Sequence, residues 1–141
     1  MIVYLDTSAV IPILIDEPST EVCRRAWNAA NRRASSRLTY VEVATALAMA
    51  ERRRRLTSRQ HATAWSHFNR LWPDVDIVEL DASLAARAAS FAKPLALRGD
   101  DAVHCACAEA LREPQLVAVS GDVGLLDAWQ RLGLAVLDTN R

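Results

Sequence analysis

The segment LVAVSGDVGLLDAWQRLGLAVL, residues 116–137, contains a strand, a helix and a second strand in immediate succession. Residues 116–119 are apolar without interruption, which is typical of a strand buried on both faces of a parallel sheet. Ser120-Gly121-Asp122 predicts a turn into a helix over residues 123–132, and Ala135-Val136-Leu137 predicts a closing strand. A unit of this kind is the building block of an α/β fold.

The same alternation of strands and helices extends over the rest of the chain. Further strands are predicted at residues 2–5, 35–38 and 75–80, and further helices at residues 20–32, 39–55, 57–72, from Asp81 to near Pro94, and 102–111. This order predicts an α/β three-layer sandwich, with a mostly parallel central sheet flanked by helices. Because no linker, repeat or low-complexity segment interrupts the pattern, we expect one domain over residues 1–141.

Polar residues predict where two of the helices begin. Thr7 and Ser8 offer capping oxygens to a first helix, which places Pro12 in the first turn, where a missing N–H is tolerated. Thr39, followed three residues later by Glu42, has the spacing of a capping box. These signals put Glu42 in the first turn of its helix.

The composition excludes several classes of protein. The chain has 141 residues, of which 51% are hydrophobic, and this is enough to bury a core. Its 17 basic and 17 acidic residues cancel, which removes the general attraction of a strongly basic nucleic-acid binder. The longest apolar stretch, residues 9–15, contains a proline and is too short to span a bilayer, and strand-like residues begin at Ile2. We therefore expect a cytoplasmic chain without a leader peptide.

The cysteines and the arginine run have simple structural interpretations. Cys105 and Cys107 lie two residues apart on a predicted helix, about 200° around its axis, so they do not converge on one metal ion. We interpret them as small apolar core residues. Residues 52–55 form the densest charge run, which favours a solvated helix end over the alternative of an RNA-backbone contact.

Four carboxylates occupy equivalent places in this predicted fold. Asp6 and Asp122 lie where an apolar strand ends and a helix begins, and Glu42 and Asp101 lie in the first turn of a helix. In a parallel sheet these ends gather at the carboxyl edge, where α/β proteins bind ligands. Helix capping explains each acid alone. Together they predict a cation site, because two carboxylates ~4 Å apart repel by about 4 kcal/mol at an effective dielectric constant of about 20.

A carboxylate cluster without histidine or cysteine favours Mg²⁺ or Mn²⁺ over zinc. Such a cation suits the hydrolysis of phosphodiesters, because it binds phosphate oxygens and lowers the pKa of a bound water. The sequence shows no serine or cysteine nucleophile at a recognisable spacing from a histidine, and no glycine-rich phosphate loop. His104, one helical turn after Asp101, is interpreted as a packed or supporting residue.

Four short motifs resemble those of PIN-domain ribonucleases, especially the VapC-type toxins of toxin–antitoxin operons. They are residues 2–9 (IVYLDTSA), 36–43 (SRLTYVEV), 97–104 (LRGDDAVH) and 119–122 (VSGD), in the family's order and spacing over the whole chain. The chain departs from many relatives at Pro12-Ile13, where they carry a lysine, and at Met49, where they carry an arginine. The resemblance implies a PIN-like fold and metal-dependent cleavage of RNA.

The resemblance also implies roles for individual residues and partners. The catalytic, metal-binding acids would be Asp6, Glu42, Asp101 and Asp122, with Asp101 rather than Asp100 at the position that directly precedes Ala-Val-His. Supporting residues would be Ser120, Thr7 and Ser8, and candidate RNA contacts would be Arg98, Arg52 and Arg53. The implied cofactor is Mg²⁺ or Mn²⁺, and the implied partners are an RNA substrate, a cognate VapB-type antitoxin and a second copy of the chain in a homodimer.

Two other functions stay open at this point. Asp6 at the end of the first strand is also typical of aspartyl-phosphate proteins of receiver or phosphatase type. Ser8 stands where a haloacid-dehalogenase-like phosphatase has a second aspartate, and Lys93 is not at the strand end where a receiver needs its lysine. The third function is a PIN-like binding module without activity, which the four retained acids disfavour. Metal-dependent cleavage of labelled RNA separates the three.

Overall fold

The computed structural model describes residues 1–141, which form five strands and seven α-helices. The strands are β1 (Ile2–Leu5), β2 (Arg32–Ser36), β3 (Asp76–Val78), β4 (Leu116–Ser120) and β5 (Ala135–Asp138). The helices are α1 (Thr7–Leu14), α2 (Thr20–Ala29), α3 (Arg37–Arg52), α4 (Ser58–Leu71), α5 (Ala82–Ala92), α6 (Gly99–Ala110) and α7 (Val123–Arg131). A short 3-10 helix, Trp72–Asp74, follows α4.

The five strands form one parallel sheet in the order β3-β2-β1-β4-β5. From β1 the chain moves outward to β2 and β3, and then returns to the other side of β1 with β4 and β5. The direction of winding therefore reverses between β1 and β4. The carboxyl ends of these two strands border a crevice, which is the place where open α/β sheets bind ligands. The predicted fold class is confirmed.

Helices cover both faces of the sheet, and β1 shows why. Val3 and Leu5 pack into an apolar cluster with residues of α1 to α4, whereas Tyr4 between them packs into a second cluster with residues of α5, α6 and α7. Successive side chains of a strand point to opposite faces, so a continuous apolar run serves two cores. Val3, Tyr4 and Leu5 are all at most 1% exposed.

The prediction was wrong about the start of β2 and the end of α2. β2 begins at Arg32, three residues earlier than predicted, and α2 ends at Ala29 instead of residue 32. Arg32 lies beside Ile2 in the sheet and forms an ion pair with Asp76 of the next strand. Arg33 donates hydrogen bonds to two carbonyls of the preceding segment. Arg32 thus has a charge partner and Arg33 has two carbonyl acceptors at the sheet's amino edge, which the polar sequence pattern did not indicate.

The predicted capping box at Thr39 was also wrong. Ser36 caps α3, because its Oγ accepts a hydrogen bond from the Leu38 N–H at 3.0 Å. Thr39 is instead fully buried, with its Oγ1 2.8 Å from Ser35 Oγ. The helix therefore begins at Arg37, and Glu42 lies in its second turn instead of its first.

The start of α1 also differs from the prediction, because its cap again lies upstream of the predicted residues. Asp6, not Thr7 or Ser8, is the N-cap, since its carboxylate accepts a hydrogen bond from the Ala9 N–H. Because the helix begins at Thr7, Pro12 falls in its second turn and not in the first. The earlier start leaves the hydroxyls of Thr7 and Ser8 free for contacts with other elements.

The predicted starts of the helices near residues 57, 81 and 123 are confirmed. Thr57 caps α4 in a capping box with Gln60, and Asp81 and Asp122 cap α5 and α7. Cys105 and Cys107 are fully buried free thiols, and burial raises the pKa of Cys105 to about 12, in keeping with an apolar packing role. None of the helices combines the length and the hydrophobicity that a membrane span requires.

Candidate active site

Asp6 lies at the centre of the crevice, between the end of β1 and the start of α1. Its side chain is buried, with 4% of the residue exposed. Oδ1 accepts hydrogen bonds from the Ala9 N–H and from Ser8 Oγ, and Oδ2 accepts one from Ser120 Oγ at 2.8 Å. Burial raises the pKa of Asp6, and the charge of His104 and these hydrogen bonds offset only part of that increase. Asp6 is thus a desolvated carboxylate fixed by three donors.

Two serines join the ends of β1 and β4. Ser120 Oγ donates to Asp6 and accepts from the Asp122 N–H at 2.9 Å, so one hydroxyl contacts both aspartates. Ser8 Oγ accepts a hydrogen bond from the Gly121 N–H at 2.9 Å. A Cβ at Gly121 would come within 2.9 Å of Thr139 Oγ1, so only glycine fits this turn without displacement. The hydroxyls predicted as supporting residues therefore do contact the crevice carboxylates.

Asp101 and Asp122 approach from the other face of the sheet. Asp101 is the third residue of α6, and Asp122 caps α7 through the Leu125 N–H at 3.0 Å. The pKa of Asp101 is raised to about 6, mainly by burial and further by the negative charges of Asp122, Asp100 and Asp6. The Arg98 guanidinium, whose Nε lies 3.6 Å from Asp101 Oδ2, lowers the pKa of Asp101 but offsets only part of the increase. Negative charge in the crevice is therefore not fully compensated by the protein.

Glu42 reaches the crevice from α3 and is connected to it by hydrogen bonds. Its Oε1 accepts a hydrogen bond from Thr7 Oγ1 at 2.7 Å and lies 2.7 Å from His104 Nε2. Burial alone would raise the pKa of Glu42, but the hydrogen bonds from His104 and Thr7 lower it overall. Burial alone would lower the pKa of His104, but the hydrogen bond to Glu42 and the charge of Asp6 raise it overall.

The histidine has a second partner that the sequence reasoning missed. His104 Nδ1 lies 2.8 Å from the hydroxyl of Tyr4, which is fully buried in the middle of β1. The only signals available in the sequence were a tyrosine inside an apolar strand and the position of His104 one turn after Asp101. His104 itself is 2% exposed, which confirms the interpretation of a packed residue.

The candidate RNA-binding arginines lie in two different places. Arg98 is highly exposed and adjoins both Asp100 and Asp101 at the start of α6. Arg52 and Arg53 lie at the C-terminal end of α3, roughly 15 Å along the helix axis from Glu42 at 1.5 Å per residue. The structure therefore brings Arg98 to the carboxylates and does not bring Arg52 or Arg53 to them.

Sequence comparison identifies the family. A profile of the PIN domain matches residues 3–128. The chain belongs to the PIN-domain family. Ribonuclease VapC49 of Mycobacterium tuberculosis (strain ATCC 25618 / H37Rv) is 38% identical to this PIN domain over 121 residues, which cover 86% of this chain and 84% of that protein.

Solved structures with low sequence identity share the fold of this PIN domain. VapC20 of Mycobacterium tuberculosis, described as a sarcin-ricin loop cleaving toxin, superposes with a TM-score of 0.68 at 18% identity, covering 89% of this chain and 94% of that chain. A chain of a toxin-antitoxin complex from Klebsiella pneumoniae superposes with a TM-score of 0.62 at 16% identity, covering 85% and 86%. These similarities extend over most of the sheet and its helices.

The donor set of the PIN domain fits a hard divalent cation. All four acids offer carboxylate oxygens, which Mg²⁺ and Mn²⁺ prefer, and Asp101 carries uncompensated negative charge. No three His, Cys, Asp or Glu side chains stand close enough to form a ready metal-binding group. Asp6, Glu42 and Asp122 each accept hydrogen bonds from donors of the protein. The chemistry of the four side chains therefore fits such a cation, and they are not assembled around one in this structure.

Proposed function

We propose that this PIN domain, over residues 1–141, is a metal-dependent endoribonuclease that hydrolyses RNA phosphodiester bonds. The observation that carries the proposal is Asp101, whose pKa is raised to about 6 by burial and by Asp122 and Asp100 at the mouth of a topological switch point. A site that keeps uncompensated carboxylates at this place is suited to a cation and a phosphate ligand. The ribonuclease relatives support RNA as the substrate.

The four acids would hold Mg²⁺ or Mn²⁺. A carboxylate oxygen has two lone pairs, so Asp6, with two hydrogen bonds on Oδ1 and one on Oδ2, keeps one lone pair on Oδ2. Glu42 keeps Oε2 free, because both its bonds are on Oε1. When bound, such a cation supplies charge stabilisation to the phosphate and lowers the pKa of a water. Ser8, Ser120 and Thr7 fix the orientation of these carboxylates.

Arg98 is the first candidate for substrate contact. Its side chain is 78% exposed and lies beside Asp101, so its guanidinium is available next to the acids for a phosphate of RNA. Arg52 and Arg53 lie at the opposite end of α3 and would contact phosphates farther along the RNA strand. Because the net charge is zero, attraction of RNA depends on these local groups and not on the whole molecule.

We also propose that the enzyme is the toxin of a toxin–antitoxin pair and acts in the cytoplasm, as a homodimer controlled by a VapB-type antitoxin. The similarity to VapC49 and to a chain of the Klebsiella pneumoniae toxin-antitoxin complex supports this assignment. An antitoxin that covers the crevice would protect the host's own RNA from cleavage. Coexpression with any small open reading frame found directly upstream of the gene, followed by copurification, tests the partner.

The test of the nuclease is cleavage of labelled RNA by the purified chain, with Mn²⁺ or Mg²⁺ and with EDTA. We expect cleavage only with the divalent ion. Asp101→Asn should lose activity by orders of magnitude at saturating Mn²⁺, because it removes a charge from the crevice while keeping the size of the side chain. The matched control is Asp100→Asn, the neighbouring acid, which should stay within a few-fold of the unchanged protein.

Four outcomes would contradict the proposal or its assignment of Asp101. Cleavage that persists in EDTA would exclude the cation, and no cleavage of any RNA would favour a binding module. If Asp100→Asn is the inactive variant and Asp101→Asn cuts normally, the alignment of the third motif is wrong by one residue. Equal activity in both variants would place the active site outside this crevice.

A further inference from the structure

A continuous hydrogen-bonded chain runs from the centre of the sheet to the crevice. The Tyr4 hydroxyl lies 2.8 Å from His104 Nδ1, and His104 Nε2 lies 2.7 Å from Glu42 Oε1. The three residues belong to β1, α6 and α3, so the chain joins both helical layers to the middle strand. Tyr4 and His104 are at most 2% exposed, and both ring nitrogens of the histidine have partners.

Glu42 fixes which atom donates in the hydrogen bond that it shares with His104. An ionised carboxylate accepts hydrogen bonds only, so His104 Nε2 must be the donor to Glu42. Nδ1 can then accept from the Tyr4 hydroxyl or, if the ring is charged, donate to it, because a phenol does both. The chain therefore stays connected in either state of the ring. Stability alone does not call for it, since apolar residues of similar volume serve a buried position equally well.

The hydrogen-bonded chain leaves one carboxylate oxygen of Glu42 without a protein donor. Oε1 accepts from both His104 and Thr7, whereas Oε2 accepts from no group of the protein. The only buried side-chain polar atom without a partner is Trp129 Nε1, so Glu42 Oε2 is reached by solvent. Two donors on one oxygen fix the plane of the carboxylate and direct the other oxygen outward.

We propose that His104, supported by Tyr4, is a positioning residue that fixes Glu42 so that Oε2 faces the bound cation. This inference rests on the proposed function, because it assigns how one carboxylate of that site is oriented. Both ring nitrogens of His104 already have protein partners, so neither is free for a cation or RNA. His104 acts through Glu42, and Tyr4 acts through His104.

The test is the affinity for Mn²⁺, measured by electron paramagnetic resonance of the free ion, together with RNA cleavage. His104→Leu removes both hydrogen bonds and should weaken Mn²⁺ binding by about tenfold or more, the usual effect of losing a partner of a metal ligand. His104→Gln keeps an N–H donor towards Glu42 and should recover most of the affinity. Tyr4→Phe should weaken binding by a few-fold, because the ring loses only its second partner.

A double-mutant cycle separates positioning from packing. In the Glu42→Gln background, His104→Leu should have no further effect on Mn²⁺ affinity, because no carboxylate remains to be oriented. The matched control is Cys105→Ala, a fully buried neighbour on α6 outside the chain, which should lower stability and leave Mn²⁺ affinity unchanged. If His104→Leu does not fold, His104→Gln and Tyr4→Phe still give the comparison, with Tyr4→Phe the weaker binder.

Different results would contradict the positioning role of His104 and the nuclease proposal. If Glu42→Gln weakens Mn²⁺ binding while His104→Leu and Tyr4→Phe bind normally, the positioning role is overturned and the nuclease proposal stands. An equal effect of His104→Leu in the Glu42→Gln background also overturns positioning, because the loss would then not pass through Glu42. If the unchanged protein binds no Mn²⁺ and cuts no RNA, both proposals fall.

Discussion

Three aspartates end strands and begin helices in this molecule, and they have different surroundings. Asp6, Asp122 and Asp81 each accept a hydrogen bond from the N–H three residues ahead, at 3.2, 3.0 and 2.8 Å. As helix caps they are equivalent. Asp6 and Asp122 follow the neighbouring strands β1 and β4, whereas Asp81 follows β3 at the edge of the sheet.

The surroundings differ because of the strand order. Ser120 connects Asp6 to Asp122 across the switch point, and Asp6 is buried. Asp81 is exposed, and its side chain accepts only the bond from its own helix. Capping is thus a local property of the sequence, while the convergence of two caps depends on the order of the strands. The role of an aspartate as a helix cap can therefore be tested separately from its role in the crevice.

The largest expected effect tests this separation with the same substitution at two caps. Asparagine caps helices about as well as aspartate, so Asp6→Asn and Asp81→Asn both keep their local role. We expect Asp6→Asn to reduce RNA cleavage by about 10²–10³-fold or more at saturating Mn²⁺, as for other lost electrostatic contacts to a reacting group. Asp81→Asn should cut at the rate of the unchanged protein. Initial rates on labelled RNA measure both, and equal rates would mean that Asp6 is only a cap.

The sequence was sufficient for the features that depend on local pattern. The apolar run 116–119 and the turn after it predicted the parallel sheet, and the position of Asp6 and Asp122 at strand ends predicted their convergence. Asp81 had the same local pattern, and only its place at the sheet edge separates it from the other two. Four ordered motifs added a prediction that the pattern could not make, namely which acids form the site.

Features that depend on packing could not be predicted. Ser36 and Thr39 are both good caps, and the choice between them follows from the burial of Thr39 against Ser35. The chain from Tyr4 through His104 to Glu42 joins residues 100 and 62 positions apart, and no periodicity encodes such contacts. The start of β2 at Arg32 depends on partners in other elements.

The second expected effect concerns stability and pH. The pKa of Asp101 is raised to about 6 in the fold, so from about pH 4 to pH 6 the folded chain binds more protons than the unfolded chain. The free energy of unfolding therefore falls as pH rises through this window. The full penalty is reached by pH 7.

Asp101→Asn removes this penalty together with a favourable charge at the start of α6, worth roughly 0.3–1 kcal/mol. In EDTA at pH 7 the variant should therefore be more stable than the unchanged protein by ~1 kcal/mol after solvent screening, and this gain should vanish near pH 4. Urea unfolding at the two pH values measures the difference. A variant that is less stable at pH 7 would show that Asp101, like Asp81, serves chiefly as a helix-start residue and is not under electrostatic strain in the crevice.

The smallest expected effect belongs to Asp81 and completes the comparison from the structural side. Asp81→Ala removes the only cap of α5 and should lower the free energy of unfolding by about 1 kcal/mol, whereas Asp81→Asn should change it by a few tenths. For a chain of this size 1 kcal/mol corresponds to roughly 2–4 °C in Tm. Cleavage at a temperature well below Tm should be unchanged in both variants, because Asp81 lies two strands away from the crevice. A fall in cleavage without a fall in Tm would extend the active site to the edge of the sheet, and the strand order would no longer separate Asp81 from the aspartates of the crevice.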